Sequence, residues 1–207
     1  LKKTEEHIKQ QREQILDFEQ TKKLELHHRI KNNLQVISSL LDLQSDKFDD
    51  KEVIQAFRDT QNRVYSIALV HKNLYQTNRQ EYVNSHDYIQ EIVEHLVYLY
   101  RRKNIKLNID VQNINFGIDT IIPLGMLINE LVSNSLKYAY KDKDKTEITV
   151  KLYKDAIGYT LIVGDDGKGI AESIDVKNTE SLGLQIINSL VEQIYGLFEM
   201  DKLNGTK

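Results

Sequence analysis

The sequence predicts an α+β chain in two parts, a long helical hairpin followed by a sheet whose helices are segregated onto one face. Three observations carry that prediction. The first 80 residues contain neither proline nor glycine, which long uninterrupted helices require. Within them, apolar residues recur at alternating spacings of four and three. Beyond them the period changes, and short stretches of alternating apolar residues stand between helical patterns.

The 207 residues, 40% hydrophobic and 29% charged, suffice for one or two compact units and exclude fibrous and wholly disordered chains. Lys and Arg number 28 against 31 Asp and Glu, so no nucleic-acid platform is expected. Without cysteine there is no disulfide framework, thiolate nucleophile or Cys-based zinc site. The longest apolar runs, such as Thr120 to Ile128, are far shorter than the roughly 20 residues of a membrane span, so no direct membrane contact and a cytoplasmic setting are expected. The sequence opens at Leu1 on a charged segment, as expected of a piece whose upstream sensing domain is absent.

Residues 1 to 46 are expected to form one helix, with Leu1, Ile8, Ile15 and Phe18 as a short heptad signal. Its length, on the order of 65 to 70 Å, exceeds what a compact domain needs, and residues 1 to 23 are read as a helical signalling connector. From Leu26 the stripe Ile30, Leu34, Ile37 and Leu41 lines one face until the polar cluster Ser45 to Glu52. A second helix to about Thr77 carries Val53, Phe57, Val64, Ile67 and Leu74 in register. The hairpin, residues 24 to 80, has two wide apolar faces, so a homodimer forming a four-helix bundle is expected.

A second domain, residues 81 to 207, follows a polar link. Ser85 is expected to cap a helix to about Lys103, and Ile105, Leu107, Ile109 and Val111 alternate as a strand. Thr120 is expected to cap the next helix, with Pro123 in its first turn and an end near Tyr140. Strands Ile148 to Tyr153 and Tyr159 to Val163 flank a turn, and a helix from about Leu182 to Tyr195 precedes a strand at 197 to 203.

Four constellations carry chemistry. In Glu25-Leu26-His27-His28-Arg29-Ile30-Lys31-Asn32-Asn33, His27 is in phase with the buried stripe and His28 lies on the polar side. An imidazole nitrogen is a competent nucleophile, and Lys31 and Asn32, one turn on, suit incoming negative charge. In Asn129-Glu130-Leu131-Val132-Ser133-Asn134-Ser135-Leu136-Lys137-Tyr138, residues 130, 134 and 137 share a helical face. A carboxylate, an amide oxygen and an ammonium so placed suit a magnesium nucleotide. Asp165-Asp166-Gly167-Lys168-Gly169-Ile170 follows a strand, its glycines admitting close approach of a flat ligand and its carboxylate able to accept from an exocyclic amine. Ser181-Leu182-Gly183-Leu184 opens a helix whose free amides can hold phosphate. No P-loop pattern occurs.

The order of these four resembles the dimerisation and ATP-binding core of a sensor histidine kinase, in the subfamily related to the HWE kinases that carries His-His-Arg-x-Lys-Asn-Asn. The resemblance extends from about Leu24 to Thr206 and includes RVYSIALVHKNLYQ from Arg63 and IPLGMLINELVSNSLKY from Ile122. It implies an ATP-binding domain of the Bergerat (GHKL) type, an α/β sandwich, and Mg-ATP-dependent phosphorylation of His28 with transfer to an aspartate of a response regulator receiver domain. By the same resemblance Asn134 is a magnesium ligand, Glu130 the acidic residue acting on the metal indirectly, and Lys137 a phosphate contact. Asp165 binds the adenine amine; Tyr138, Gly167, Gly169, Ile170, Leu182, Gly183, Leu184 and Thr206 complete the nucleotide site.

Arg29 stands where the commonest histidine kinases carry an acidic residue, which leaves Glu25 and Glu130 as candidate general bases. The segment 171 to 180 is short and lacks the lid's phenylalanine, Tyr138 replaces a histidine, and Lys207 ends the sequence before the usual last strand, so a truncated sheet edge is expected. Two rivals remain on sequence grounds: a nucleotide-binding dimeric adaptor that transfers nothing, and a serine kinase of the GHKL type. Mirroring the hairpin about residues 48 and 49 places His71 opposite residues 26 to 27, where it serves packing or tunes the proton of His28.

Overall fold

The computed structural model describes residues 2–76, 82–101, 105–139, 146–169, 181–201 and 205–206. The chain divides into two compact units, Leu1–Glu81 and Tyr82–Lys207.

The first unit is a helical hairpin of α1 (Lys2–Ser45) and α2 (Lys51–Gln76). The reversal closes by backbone bonds from Lys47 to Gln44 and from Phe48 to Ser45. Asp50 then caps α2, its carboxylate accepting from the amides of Glu52 at 2.8 Å and Val53 at 3.4 Å. The helices are fastened at three levels. Phe48 stacks on Phe57 at 5.7 Å. Gln61 donates to the Ser38 carbonyl at 3.1 Å and the Asp42 carboxylate at 3.3 Å. Nearer the open end, His27 bonds His71. Ile8, Ile15, Phe18, Leu26, Val36, Ile37, Leu40 and Leu43 stay exposed along α1.

In the second unit, β1 (Tyr82–Asn84) pairs antiparallel with β3 (Asn115–Gly117). A three-stranded sheet is built in the order β2 (Ile105–Val111), β4 (Thr146–Lys154), β5 (Tyr159–Asp165). β4 runs parallel to β2 and antiparallel to β5, with Ile148 opposite Asp165 and Lys154 opposite Tyr159. The parallel pair needs a long crossover, supplied by α4 (Ile118–Asn134) and the π-helical segment Ser135–Ala139. Ile148, Val150 and Leu152 alternate into the core. On the sheet lie α3 (Ser85–Leu99), whose buried stripe is Tyr88, Ile89, Ile92, Val93 and Leu96 and which meets β2, and α4, whose buried stripe is Ile121, Leu124, Ile128 and Val132 and which meets β5. The remaining helix, α5 (Leu182–Gln193), packs on α4 through Leu184, Ile187 and Leu190 around Leu127.

Several boundaries differ from the sequence reading. Asn84, not Ser85, caps α3, accepting from the amides of His86 at 2.9 Å and Asp87 at 3.3 Å. Ser85 is fully buried, donating to the Gln112 carbonyl at 2.7 Å and accepting from the Ile114 amide at 3.1 Å, which ties the β2–β3 connection to α3. α3 ends at Leu99. α4 is capped at Gly117, three residues earlier than the expected cap at Thr120, so Pro123 lies beyond the first turn and removes one helical amide there. The α-helical pattern stops at Asn134 and a π turn takes over, whereas an α-helix to Tyr140 was expected. Residues 197–201 form no strand, and the only extended pairing of the described C-terminal residues is the bridge of Thr206 to Asp165. Residues 77–81, 102–104, 140–145, 170–180 and 202–204 lie outside the described residues, and with them the interdomain link, the lid segment and Ile170.

Candidate functional site

On α1, helical spacing divides the two adjacent histidines. His27 turns toward α2, where its Nδ1 lies 3.0 Å from the Nδ1 of His71, itself buried. Burial, then the nearby Lys23, pushes the His27 pKa down; burial, then His27 itself, does the same to His71. His28 is half-buried, with the Tyr75 ring 5.1 Å away and the Asn32 amide nitrogen 3.4 Å from its Nδ1. Glu25 does not reach toward His28 but holds Arg29, accepting from its Nε at 3.0 Å and from a terminal guanidinium nitrogen. Lys31 is half-buried and Asn32 exposed on the same side of α1 as His28.

In the second unit four separate stretches of sequence converge. Glu130, buried near the end of α4, turns its carboxylate to the start of α5: a Cβ on Gly183 would stand 3.2 Å from the Glu130 Oε2 and 4.0 Å from the Asn134 amide nitrogen. The absent side chain thus brings the amide-rich first turn of α5 beside both residues. Leu184 is buried beneath this turn and Leu182 is exposed. Asp165 closes β5. Its Oδ1 accepts from the Gly167 amide at 2.9 Å and its Oδ2 from the Ser135 hydroxyl at 2.8 Å. Its own amide donates to the Thr206 carbonyl at 2.9 Å. Gly205 has φ +110, and a Cβ there would overlap the Asp165 carbonyl. A Cβ on Gly167 would likewise overlap Ala139, whose carbonyl accepts from the Lys168 amide at 3.2 Å. Gly169 also takes a positive φ, +72.

The π segment alters one expectation. Glu130 and Asn134 share an α-helical face, but Lys137 sits on the wider turn, out of that phase, half-buried beside the exposed Tyr138. Ser135 and Tyr75, which touch Asp165 and His28, are not singled out by spacing; only contacts between elements distant in sequence disclose them.

Residues 25–100 match the family described as "Histidine kinase", and residues 119–207 match the family described as "Histidine kinase-, DNA gyrase B-, and HSP90-like ATPase". The chain belongs to the histidine kinases. It is 32% identical over 173 residues to the sensor histidine kinase PdtaS of Mycolicibacterium smegmatis, covering 81% of this chain and 34% of that protein. To blue-light-activated histidine kinase 2 of Erythrobacter litoralis it is 25% identical over 81% of this chain and 49% of the relative. It therefore spans a third to a half of the curated kinases it matches. The fold is shared with the histidine kinase domain of a blue-light-activated kinase from Erythrobacter litoralis, at TM-score 0.69, 24% identity and coverage of 91% of this chain and 89% of that one. The second unit of this histidine kinase core is accordingly an ATP-binding domain of the GHKL type. Among the described residues, no helix is long and apolar enough to cross a membrane.

Proposed function

We propose that this chain is the catalytic core of a two-component sensor: it binds magnesium ATP in residues 82–207 and transfers the γ-phosphoryl group to His28. The aspartate of a response regulator receiver domain then takes the phosphoryl group. What supports the reading most is the meeting of Glu130, Asn134 and the Gly183 turn within one unit, sequence segments that have no packing reason to carry those polar groups together.

In the transfer, an imidazole nitrogen lone pair of His28 forms the N–P bond while the bond from γ-phosphorus to the bridging oxygen breaks, and ADP departs with that electron pair. The other ring nitrogen loses its proton. Of the two carboxylates considered as acceptor, Glu25 is engaged by Arg29, which leaves Glu130, arriving with the nucleotide. Asn32 and Tyr75 hold the ring, so less orientational freedom is lost on reaction. Asp165 accepts from the adenine amine, flanked by Gly167, Gly169 and Thr206; Lys137 and the first turn of α5 at Leu182–Leu184 take phosphate, and Tyr138 borders the site. The amide oxygen of Asn134 and the carboxylate of Glu130 fit a hard cation whose remaining ligands are phosphate and water. Magnesium held there, directly by Asn134 and indirectly by Glu130, would neutralise charge on the phosphates.

Residues 24–80 serve as the dimerisation and phosphotransfer hairpin. The exposed Val36, Ile37, Leu40 and Leu43 give a second copy an apolar face to cover. Residues 1–23 carry the signal, a shift of that helix changing how His28 meets the nucleotide.

The test is incubation with γ-labelled ATP and magnesium. An acid-labile, alkali-stable label present in wild type and His27→Gln but lost in His28→Gln is expected. ATP binding without any phosphoprotein would replace the kinase by a nucleotide-binding adaptor, and an acid-stable phosphoserine would replace it by a serine kinase.

A further inference from the structure

The π-helical segment and the loop after β5 are built into one another. At one end the Ser135 hydroxyl meets Asp165; at the other the Ala139 carbonyl receives the Lys168 amide, and Gly167 fits between because it has no side chain. Ser135 is only 7% exposed, a position that packing would fill equally well with alanine. Its hydroxyl instead occupies Oδ2 of Asp165 while the Gly167 amide occupies Oδ1. Each carboxylate oxygen is thus fixed by a donor from a different element, and the carboxylate cannot turn about its own bonds without losing both. Its remaining lone pairs are free to accept.

We propose that Ser135 is a specificity-determining positioning residue, holding Asp165 as a pure acceptor so that the site takes a purine with an amine at position six and rejects one with a carbonyl there. This rests on the reading of Asp165 as the base contact. An amine at that position donates to the carboxylate. A guanine carbonyl would set acceptor against acceptor, leaving both unsatisfied. Without the Ser135 hydroxyl, Oδ2 loses its donor from the π segment, and the carboxylate is held by the Gly167 amide alone and can tilt about that one bond. It then suits neither purine well and excludes neither well. The segment matters because its first residue, one position beyond Asn134, brings the hydroxyl to Asp165 while the preceding turn of α4 keeps Glu130 and Asn134 beside Gly183.

Displacement of a fluorescent ATP analogue from the whole chain, by ATP and separately by GTP, measures the preference without relying on kinase turnover. In Ser135→Ala the affinity for ATP is expected to fall about tenfold while that for GTP changes by less than about threefold, the scale of one hydrogen bond to a charged group. A purely structural role would weaken both nucleotides alike and leave their ratio at the wild-type value, and that result overturns the proposal. Should the alanine variant not fold, Ser135→Cys keeps the volume with a much weaker donor. A cysteine variant with a lowered ratio supports the proposal, and one with the wild-type ratio overturns it. Asp165→Asn separates the two levels. If it binds ATP as wild type does, Asp165 is not the base contact and the proposal falls with that reading; if it loses ATP while Ser135→Ala keeps the wild-type ratio, only the role of Ser135 falls.

Discussion

Replacing His71 by asparagine probes the bond that closes the open end of the hairpin. A bond between two Nδ1 atoms 3.0 Å apart requires one to donate and the other to accept, so the rings are both neutral or share a single added proton. Their pKa values are both lowered, by burial first, then by Lys23 for His27 and by His27 for His71. The sign of the linkage follows. Above about pH 6.5 both rings are neutral whether folded or unfolded, and the full stability is present. As pH falls below that value the unfolded chain takes up protons that the folded hairpin refuses, so stability declines until the lowered folded pKa values are reached. The slope is bounded at about 1.4 kcal/mol per pH unit for each proton refused. In His71→Asn the imidazole that bonds His27 is replaced by an amide of shorter reach, and the weakened bond at this buried site should cost about 1 kcal/mol at pH 7.5. The steeper effect is on the slope below pH 6.5, which should be shallower than in wild type because one of the two resisting rings is gone. Urea denaturation followed by helical circular dichroism, from pH 5.5 to 7.5 at fixed protein concentration, measures both quantities. Identical slopes would refute the reasoning, since His95, whose pKa burial also lowers, is common to both proteins. Autophosphorylation at pH 7.5 should stay within a few-fold, because His71 bonds His27 and not His28.

Gly125→Ala should destabilise the second unit by about 1 to 3 kcal/mol, since a Cβ there would run into the phenol of the fully buried Tyr88, and Tyr88→Phe in the same chain should recover part of the loss; thermal melts of the two variants decide it. Gly205→Ala should abolish the pairing of Thr206 with Asp165, because it adds both a positive-φ penalty and an overlap with the Asp165 carbonyl. A nucleotide titration should show ATP binding weakened at least tenfold, and binding at the wild-type level would show that this C-terminal contact is dispensable. Tyr75→Ala should slow phosphorylation of His28 several-fold with the KM for ATP unchanged, since its ring lies against the His28 imidazole. A rise in KM with kcat intact would contradict that placement.

The helices, and the division between hairpin and sheet unit, were legible because both depend on periodicities carried by the sequence itself. Apolar spacing of three and four marks α1 and α2, and alternation marks β2, β4 and β5. The same arithmetic separated His27 from His28 and placed His71 opposite the former, since a hairpin's register follows from its turn. Helix starts were less legible. Ser85 and Thr120 are good capping residues by type, but Ser85 is drawn inside by Gln112 and Ile114, and Gly117 leaves β3 in an extended conformation from which α4 begins at once. Tertiary packing overrides a capping preference worth about 1 kcal/mol. The π turn was illegible for a related reason. Its residues, Ser135–Ala139, read as ordinary helix, and the wider turn is seen only where Ser135 and Ala139 meet the loop after β5.

By itself the sequence determined the residue types available for the proposed chemistry and their order along the chain: the imidazole of His28, the carboxylate and amide of Glu130 and Asn134, the carboxylate of Asp165, and the glycines Gly167, Gly169 and Gly183. The bonds of Glu25 to Arg29 and of Asp165 to Gly167 are local, but tertiary structure alone decided that the second oxygen of Asp165 goes to Ser135 and that His27 and His71 close to hydrogen-bond distance. Residue type and period are local properties, whereas a hydrogen bond within about 3 Å between residues 30 or 44 positions apart depends on how whole elements come to rest against one another.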